Sequence, residues 1–204
     1  MSVEETIATY DRISTEYAHR WQDRTVIARE IARFLALLPQ GGTVLDVGCG
    51  PGFDCVTLSS HGLRVLGVDL SWGMLQAGRA KGYPVQFIQA DMRRLPLGEA
   101  VAGVWCNAAL LHLSRHDSRL SLQEFHRVLQ PNGVLFVAVK EGQGELRRSE
   151  TYGSDNPRYF TYWQQEHVVS LMASCGFAIE SGTTSQGQER RWLTYLARKI
   201  PQDR

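Results

Sequence analysis

No apolar run in the 204 residues reaches the roughly eighteen that a membrane-spanning helix needs. Cysteine occurs four times, as Cys49, Cys55, Cys106 and Cys175. No pair has CxxC spacing and no His lies at a zinc-finger offset, so no metal site and no disulfide framework is indicated. The four read as buried, reduced thiols. An excess of one charge is also missing: 22 Lys and Arg face 21 Asp and Glu, a net charge of +1. That near-balance excludes a global field for holding nucleic acid or an anionic membrane. The basic pairs Arg93–Arg94, Arg147–Arg148 and Arg190–Arg191 are scattered and read as solvated positions. There are no internal repeats and no low-complexity tracts. The first residues, MSVEETIATYDR, are acidic and lack the apolar core of a signal peptide, so a cytoplasmic location is expected.

What is present is ordinary for a globular chain: 43% hydrophobic and 21% charged residues. One domain spanning 1–204 is expected at this length. Ile27, Ile31, Phe34, Leu35 and Leu38 share one face of a helix over Val26–Leu38, stopped by Pro39-Gln-Gly-Gly. Strands and helices then alternate. Strands are predicted at Thr43–Val47, Leu63–Asp69, Val85–Gln89, Val101–Cys106 and Val134–Val139. Helices are predicted at Gly52–Ser60, at Ser71–Ala80 with Ser71 as its cap, and at His116–Leu129, closed by Gln130-Pro-Asn-Gly. That order means an α/β protein with a parallel sheet, and the nearly solid apolar strands mean both faces are covered. Glu141–Pro157 is polar and reads as a long loop or lid. A helix is expected at Tyr162–Ser174. Strands at Phe177–Thr183 and Trp192–Ala197 follow, and their short connection, Thr184–Arg190, suits an antiparallel pair.

The strongest chemical signal is Val44-Leu45-Asp46-Val47-Gly48-Cys49-Gly50-Pro51-Gly52, a strand running into a glycine turn that opens a helix. The glycines allow close approach of a ligand, and the helix N-terminus offers free N–H groups. The spacing is GxGxG, not the GxGxxG of dinucleotide folds. Asp46 sits inside the strand, where a charge needs partners. A second strand ends in Asp69, about 20 residues after the turn, the distance at which a carboxylate meets a ribose diol. The alternative role for Asp69, helix N-cap, is better filled by Ser71. A third acid, Asp91, follows the third strand. It suits either a turn or an exocyclic amine, with Met92 placed to pack on a ring.

These three features together resemble class I S-adenosylmethionine-dependent methyltransferases of the small stand-alone kind. The resemblance is carried by VLDVGCGPG, VLGVDLS, QADMRRLPL at Gln89–Leu97, VWCNAALLHLS at Val104–Ser114 and EFHRVLQPNGVLFVAV at Glu124–Val139. It spans about Thr43 to Lys140. The Tyr10–Tyr17 segment matches the family's YDxxxxxY-like start. The resemblance implies a Rossmann-like doubly wound seven-stranded sheet, mostly parallel, with one antiparallel strand in a C-terminal hairpin. It divides the chain into an N-terminal helical cap (1–40), a cofactor core (43–140), a lid (141–161) and a C-terminal helix and hairpin (162–204). It also implies S-adenosyl-L-methionine as cofactor. Asp46, Gly48, Gly50 and Gly52 would line its methionine part. Asp69 would bind both ribose hydroxyls, with Leu70 and Met74 near the adenine and Asp91 and Met92 at the adenine edge. Asn107 would reach the cofactor through its backbone. Tyr10 and Tyr17 would close over it, and Arg20 would reach its carboxylate. Pro51 departs from the pattern without harm to binding. The short third crossover, Asp91–Ala100, is barely long enough for a helix, so the sheet's covering there is expected to be thin.

A reactive donor leaves the protein to align a nucleophile, exclude water and, for a poor nucleophile, remove a proton. His112, after the fourth strand, is the candidate general base, against a purely structural role. Glu141, past the fifth strand, is the second candidate, against a solvated loop acid. The Arg158–Trp163 cluster either packs a helix entry or walls a substrate pocket, with Arg158 meeting an anionic group. Tyr162 and Tyr152 are grouped with it. The expected activity is methyl transfer to a small-molecule acceptor by a monomer or homodimer, since no basic groove or added binding domain is visible. The CNAAL edge also lacks the Asn/Asp-Pro-Pro-aromatic signature of base methylation. Methylation of tRNA or protein, a non-catalytic partner protein and a nucleotide-dependent oxidoreductase are the competing readings. The GxGxG spacing and Asp91 count against the last.

Overall fold

Strands solid in Val, Leu and Phe have two apolar faces, and both must be covered. The computed structural model describes residues 3–187 and 190–201 and meets that demand with a seven-stranded sheet between helices. The helices are α1 (Val3–Arg20), α2 (Ala28–Leu35), α3 (Phe53–Ser59), α4 (Trp72–Ala80), α5 (Arg115–Val128) and α6 (Gln165–Ser174). The first five strands are β1 (Thr43–Val47), β2 (Arg64–Asp69), β3 (Gln86–Gln89), β4 (Val101–Asn107) and β5 (Leu129–Lys140). A separate antiparallel ribbon follows, made of β6 (Glu145–Arg148) and β7 (Arg158–Thr161). The chain closes the sheet with β8 (Phe177–Gln186) and β9 (Arg191–Lys199). The sheet order is β3-β2-β1-β4-β5-β9-β8, and β9 alone runs against its neighbours, as the family resemblance implies.

The pleat sorts the apolar run of β5 onto two faces. Val134, Phe136 and Ala138 join Phe34 of α2 and Leu58 of α3 on one side. Leu135, Val137 and Val139 join Phe125 of α5 and Met172 of α6 on the other. The chain winds outward from β1 through β2 and β3, then returns to pair β4 against the other edge of β1. That reversal leaves a crevice beyond the carboxyl ends of β1 and β4, where an open α/β sheet takes its ligands. Among the described residues, no helix is long and apolar enough to cross a membrane.

Several boundaries differ from the sequence reading, each for a physical reason. No helix covers the Asp91–Ala100 crossover. The segment is instead pinned to α5, where Leu95 N–H donates to Glu124 at 2.8 Å and Arg127 donates to the carbonyls of Leu95 and Leu97. β5 begins at Leu129, five residues before the predicted start, because Leu129 already pairs with Val101. Pro131 cannot continue the preceding helix, and Asn132 takes a positive φ of 61° in the irregular stretch that follows. The expected lid is not a free loop, since β6 and β7 lie within or beside it. Tyr162 and Trp163 are extended rather than helical, because Trp163 bridges to Glu141 and exchanges hydrogen bonds with Lys140 and Gly142. Of the predicted Thr184–Arg190 connection, residues 188 and 189 lie outside the described residues, as do 1, 2 and 202–204.

Phe136 lies at the middle of the sheet, stacked on Trp105 with ring centroids 3.8 Å apart. Both side chains are fully buried. Phe136→Ala is expected to destabilise the fold by about 3–5 kcal/mol, read as a lower midpoint in urea denaturation at unchanged slope.

Candidate functional site

The glycine turn after β1 is held against β2: the N–H groups of Gly48 and Cys49 both donate to the Val68 carbonyl, at 2.7 and 3.0 Å. Gly48 has φ +71°, and a Cβ there would stand 2.1 Å from that of Ala109. Glycine is therefore required by both backbone and space. At Gly50 the backbone again favours glycine, with φ +53°, but a Cβ would meet only the Tyr17 ring edge at 3.8 Å. The turn there faces a cavity of about 90 Å³ at the switch point. Gly52, with φ +84°, caps α3 and packs against Phe87 outside that cavity.

Asp69 ends β2 on the cavity wall. Its Oδ2 accepts the Gly50 N–H and its Oδ1 the Ser71 N–H, both at 2.8 Å. Burial pushes this carboxyl above the usual range, while the backbone donors pull the other way. Each oxygen keeps a lone pair for a ligand hydroxyl. Asp91 also lines the cavity and is gripped by Arg93, at 2.6 Å from its Nη2. Burial would raise the Asp91 carboxyl, but the side chain and N–H of Arg93 outweigh it and hold it low. Leu70, Met74 and Met92 supply apolar wall, and Asn107 contributes from the end of β4.

Tyr10 and Tyr17 of α1 form the roof, and burial raises the hydroxyl pKa of both. α1 is placed by Asp11, whose Oδ1 accepts Ser71 Oγ at 2.6 Å and Gly73 N–H at 2.8 Å at the start of α4. Gly73 permits this approach, since a Cβ would lie 2.8 Å from Asp11 Cα. α1 is also tied to the ribbon, because Tyr159 N–H donates to Thr6 and Thr9 donates to the Pro157 carbonyl.

His112 lines the cavity beside Tyr10. Its Nε2 lies 2.7 Å from the Tyr10 hydroxyl and its Nδ1 lies 2.7 Å from the Tyr159 carbonyl. Because a carbonyl only accepts, Nδ1 carries the proton and Nε2 accepts from Tyr10. Burial drives the imidazole pKa down to about 3, and the charges of Arg158 and Lys140 push the same way, against the Tyr159 carbonyl. Arg158 is buried behind Tyr10, with Nη1 donating to the Tyr10 hydroxyl at a long 3.5 Å.

Some expected residues are not brought to the cavity. Arg20 instead donates to the Thr151 carbonyl at 3.1 Å and lies over the Tyr152 ring. Asp46 lies beneath the glycine turn, where it accepts the Cys55 thiol at 3.0 Å. Burial, and next the charge of Asp54, push its carboxyl well above the usual range. Glu141 is paired with Arg191 at 2.5 Å and faces a separate groove with Gln143 and Gln165. Tyr162 stacks on Phe160 under Arg190, away from the crevice. Tyr152 accepts from Trp21 and stacks on Tyr17, so it backs the roof without lining the cavity.

The sequence reading missed three residues. Asp54 is the most connected: Arg24 donates to both its oxygens, at 2.6 and 2.8 Å, and Trp105 and Asn107 each donate to Oδ2 at 2.9 Å. Its only sequence signal is an acid in the first turn of α3. Asp11 and Ala108 are the others. Ala108 has φ +58° at the cavity wall, a conformation unusual for a residue with a side chain.

A family model described as a methyltransferase domain matches residues 44–133. A putative methyltransferase of Bacillus subtilis, YqeM, is 36% identical over 158 residues, covering 72% of this chain and 64% of the relative. In sequence and fold the chain is similar to class I S-adenosylmethionine-dependent methyltransferases. The malonyl-[acyl-carrier protein] O-methyltransferase of Enterobacter lignolyticus is 33% identical over 160 residues, covering 76% of this chain and 63% of that protein. The chain thus spans less than two thirds of the length of these relatives. Its fold is also that of the 1,6-didemethyltoxoflavin-N1-methyltransferase of Burkholderia thailandensis. That match has a TM-score of 0.78 and 21% identity, over 98% of this chain and 92% of the other.

His112 should give the fold a marked acid sensitivity. Its pKa falls from 6.5 to about 3 on folding, so the unfolded chain binds the proton more readily. Its contribution is fully present above pH 6.5 and is lost as pH falls toward 3. His112→Asn keeps a donor for the Tyr159 carbonyl and does not titrate. The stability gap between wild type and variant in urea denaturation should be constant above pH 6.5 and narrow steadily below it.

Proposed function

We propose that the protein transfers a methyl group from S-adenosylmethionine to a small-molecule acceptor in the cavity at the switch point. The observation that carries this reading is Asp69, fixed by two backbone N–H groups beside the open Gly50 turn. The cofactor fits this donor set. Asp69 has lone pairs for a ribose diol, and the open side of the turn at Gly50 offers room for a methionyl chain. Leu70, Met74 and Met92 offer apolar faces to a purine, and Asp91 offers a carboxylate to its amine. When bound, the cofactor supplies an electrophilic methyl on a sulfonium.

The chain's own part is alignment and the exclusion of water. Tyr10 and Tyr17 close the cavity from α1, and Asn107 frames it from β4. His112 holds Tyr10 in place through its Nε2 and carries no free lone pair in this arrangement. Asp46 supports the turn from below rather than lining the site, and Arg20 secures the segment at Thr151. The methyl-transfer reactions named for the relatives support the reaction class.

Calorimetric titration with S-adenosylmethionine and S-adenosylhomocysteine, with NAD as control, tests this reading. Both adenosyl compounds should bind and NAD should not. Asp69→Ala should weaken their binding by at least ~2 kcal/mol, as loss of charge-assisted hydrogen bonds to a diol does. Unchanged affinity in that variant would remove the ribose assignment.

A further inference from the structure

We infer that the methyl acceptor is a carboxylate anion, held by Arg158 and methylated on one of its own oxygens to give a methyl ester. This inference rests on the reading of the cavity as a methyl-transfer site. Two observations carry it.

The first is a buried cation without an anion. Arg158 is only 8% exposed. Its neighbours are the rings of Tyr10, Tyr152 and Phe160, with centroids 5.8, 4.8 and 5.1 Å from the guanidinium carbon. Its Nη1 makes the long bond to Tyr10, and its Nε has no hydrogen-bond partner among the described residues. Arg24 shows the usual solution, a bidentate pairing with the Asp54 carboxylate. Arg158 has no such carboxylate among the described residues. A guanidinium out of water is costly unless an anion meets it. Tyr10 lines the cavity and Arg158 does not, so an anion reaches the guanidinium where it takes the place of the Tyr10 hydroxyl. Lys140, 4.9 Å from the same Phe160 ring, adds positive charge to this end. The acids Asp69 and Asp91 are each held by other donors, the backbone N–H groups of Gly50 and Ser71 and the Arg93 side chain.

The second is the absence of a usable base where one was expected. Both ring nitrogens of His112 are occupied, by the Tyr10 hydroxyl and the Tyr159 carbonyl. A proton passed through Tyr10 would create an imidazolium buried beside Arg158, and burial already opposes that charge. Glu141 is bound to Arg191 away from the cavity. Hydroxyl and ammonium acceptors must lose a proton to react, whereas a carboxylate need not. One carboxylate oxygen forms the new bond to the methyl carbon as that carbon's bond to the donor sulfur breaks, its electron pair staying on sulfur. An anion and a sulfonium become a neutral ester and a neutral thioether, and no proton moves.

The test uses the whole chain and matched probes: succinate, glutarate and hexanoate, each beside its primary amide. Calorimetry with and without S-adenosylhomocysteine should give binding of carboxylates and not of amides. Arg158→Gln should weaken carboxylate binding about ten-fold or more while leaving S-adenosylhomocysteine affinity within about two-fold, and Arg158→Lys should restore part of the loss. Methyl label transferred to carboxylates should be released by alkali, as from an ester. The idea is overturned if amides bind as well as carboxylates. It is equally overturned if Arg158→Gln and Arg158→Lys both leave carboxylate affinity unchanged, or if the label proves stable to alkali. Failure of S-adenosylhomocysteine to bind would instead sink the cofactor reading, and carboxylate binding is scored separately from it.

Discussion

The Asp54 carboxylate is the constraint on which the site depends. It is buried in the first turn of α3, and a buried charge must be met by donors. Four arrive from three places: two from Arg24 before α2, one from Trp105 within β4 and one from Asn107 at its end. The network therefore fixes the cap segment to the sheet, the glycine-turn helix to β4, and Asn107 to the cavity wall. Its presence also explains the neighbouring acid. Asp46 lies close enough for the Asp54 charge to add to the effect of burial, and its carboxyl is driven toward the neutral form. One carboxylate takes the Arg24 guanidinium and two neutral donors, and the other takes a thiol.

The roof follows the same logic from the opposite side. α1 has little apolar surface of its own, and polar ties hold it: Asp11 to the start of α4, Thr6 and Thr9 to the ribbon strand β7 and its approach. Those ties position Tyr10 and Tyr17 over the cavity and leave Tyr152 stacked behind them. The segment expected as a loose lid is thus bonded to α1, so roof and ribbon form one cover. Such a cover lowers the local dielectric and strengthens each charge inside it.

Legibility in the sequence tracked the range of the interaction. The glycine turn, Asp69 and the alternating strands were readable because each is a local pattern: a run of apolar residues, a turn that needs positive φ, an acid at a strand end. Asp54 was not readable, because its meaning lies in Arg24 and Trp105, 30 and 51 residues away. His112 was singled out for its place after β4, but its role depends on Tyr10 and on the Tyr159 carbonyl, which only the folded chain brings to it. Within the aromatic cluster the strand period decided the outcome. Arg158, Phe160 and Tyr162 share one face of an extended segment, yet at about 3.3 Å per residue Tyr162 stands too far along to reach the crevice that Arg158 backs. Arg20 and Glu141 had suitable chemistry but found nearer partners, in a carbonyl and in Arg191.

The charges on the cavity wall are acidic, and the cations stand outside it. Asp69 and Asp91 line the cavity as acceptors for hydroxyls and amines, and Arg158 and Lys140 gather at one end around the Tyr10 and Phe160 rings. A neutral His112 belongs at that cationic end, since a second positive charge there would be repelled by the first. On the proposed reading, the transfer brings a positive donor and a negative acceptor to neutral products. Charge that cancels in the transition state is poorly supported by water and well supported by a closed, weakly polar site. The closed aromatic roof, the neutral imidazole and the guanidinium with no carboxylate among the described residues are then three consequences of one requirement: to keep opposite charges apart until they meet along the line of transfer.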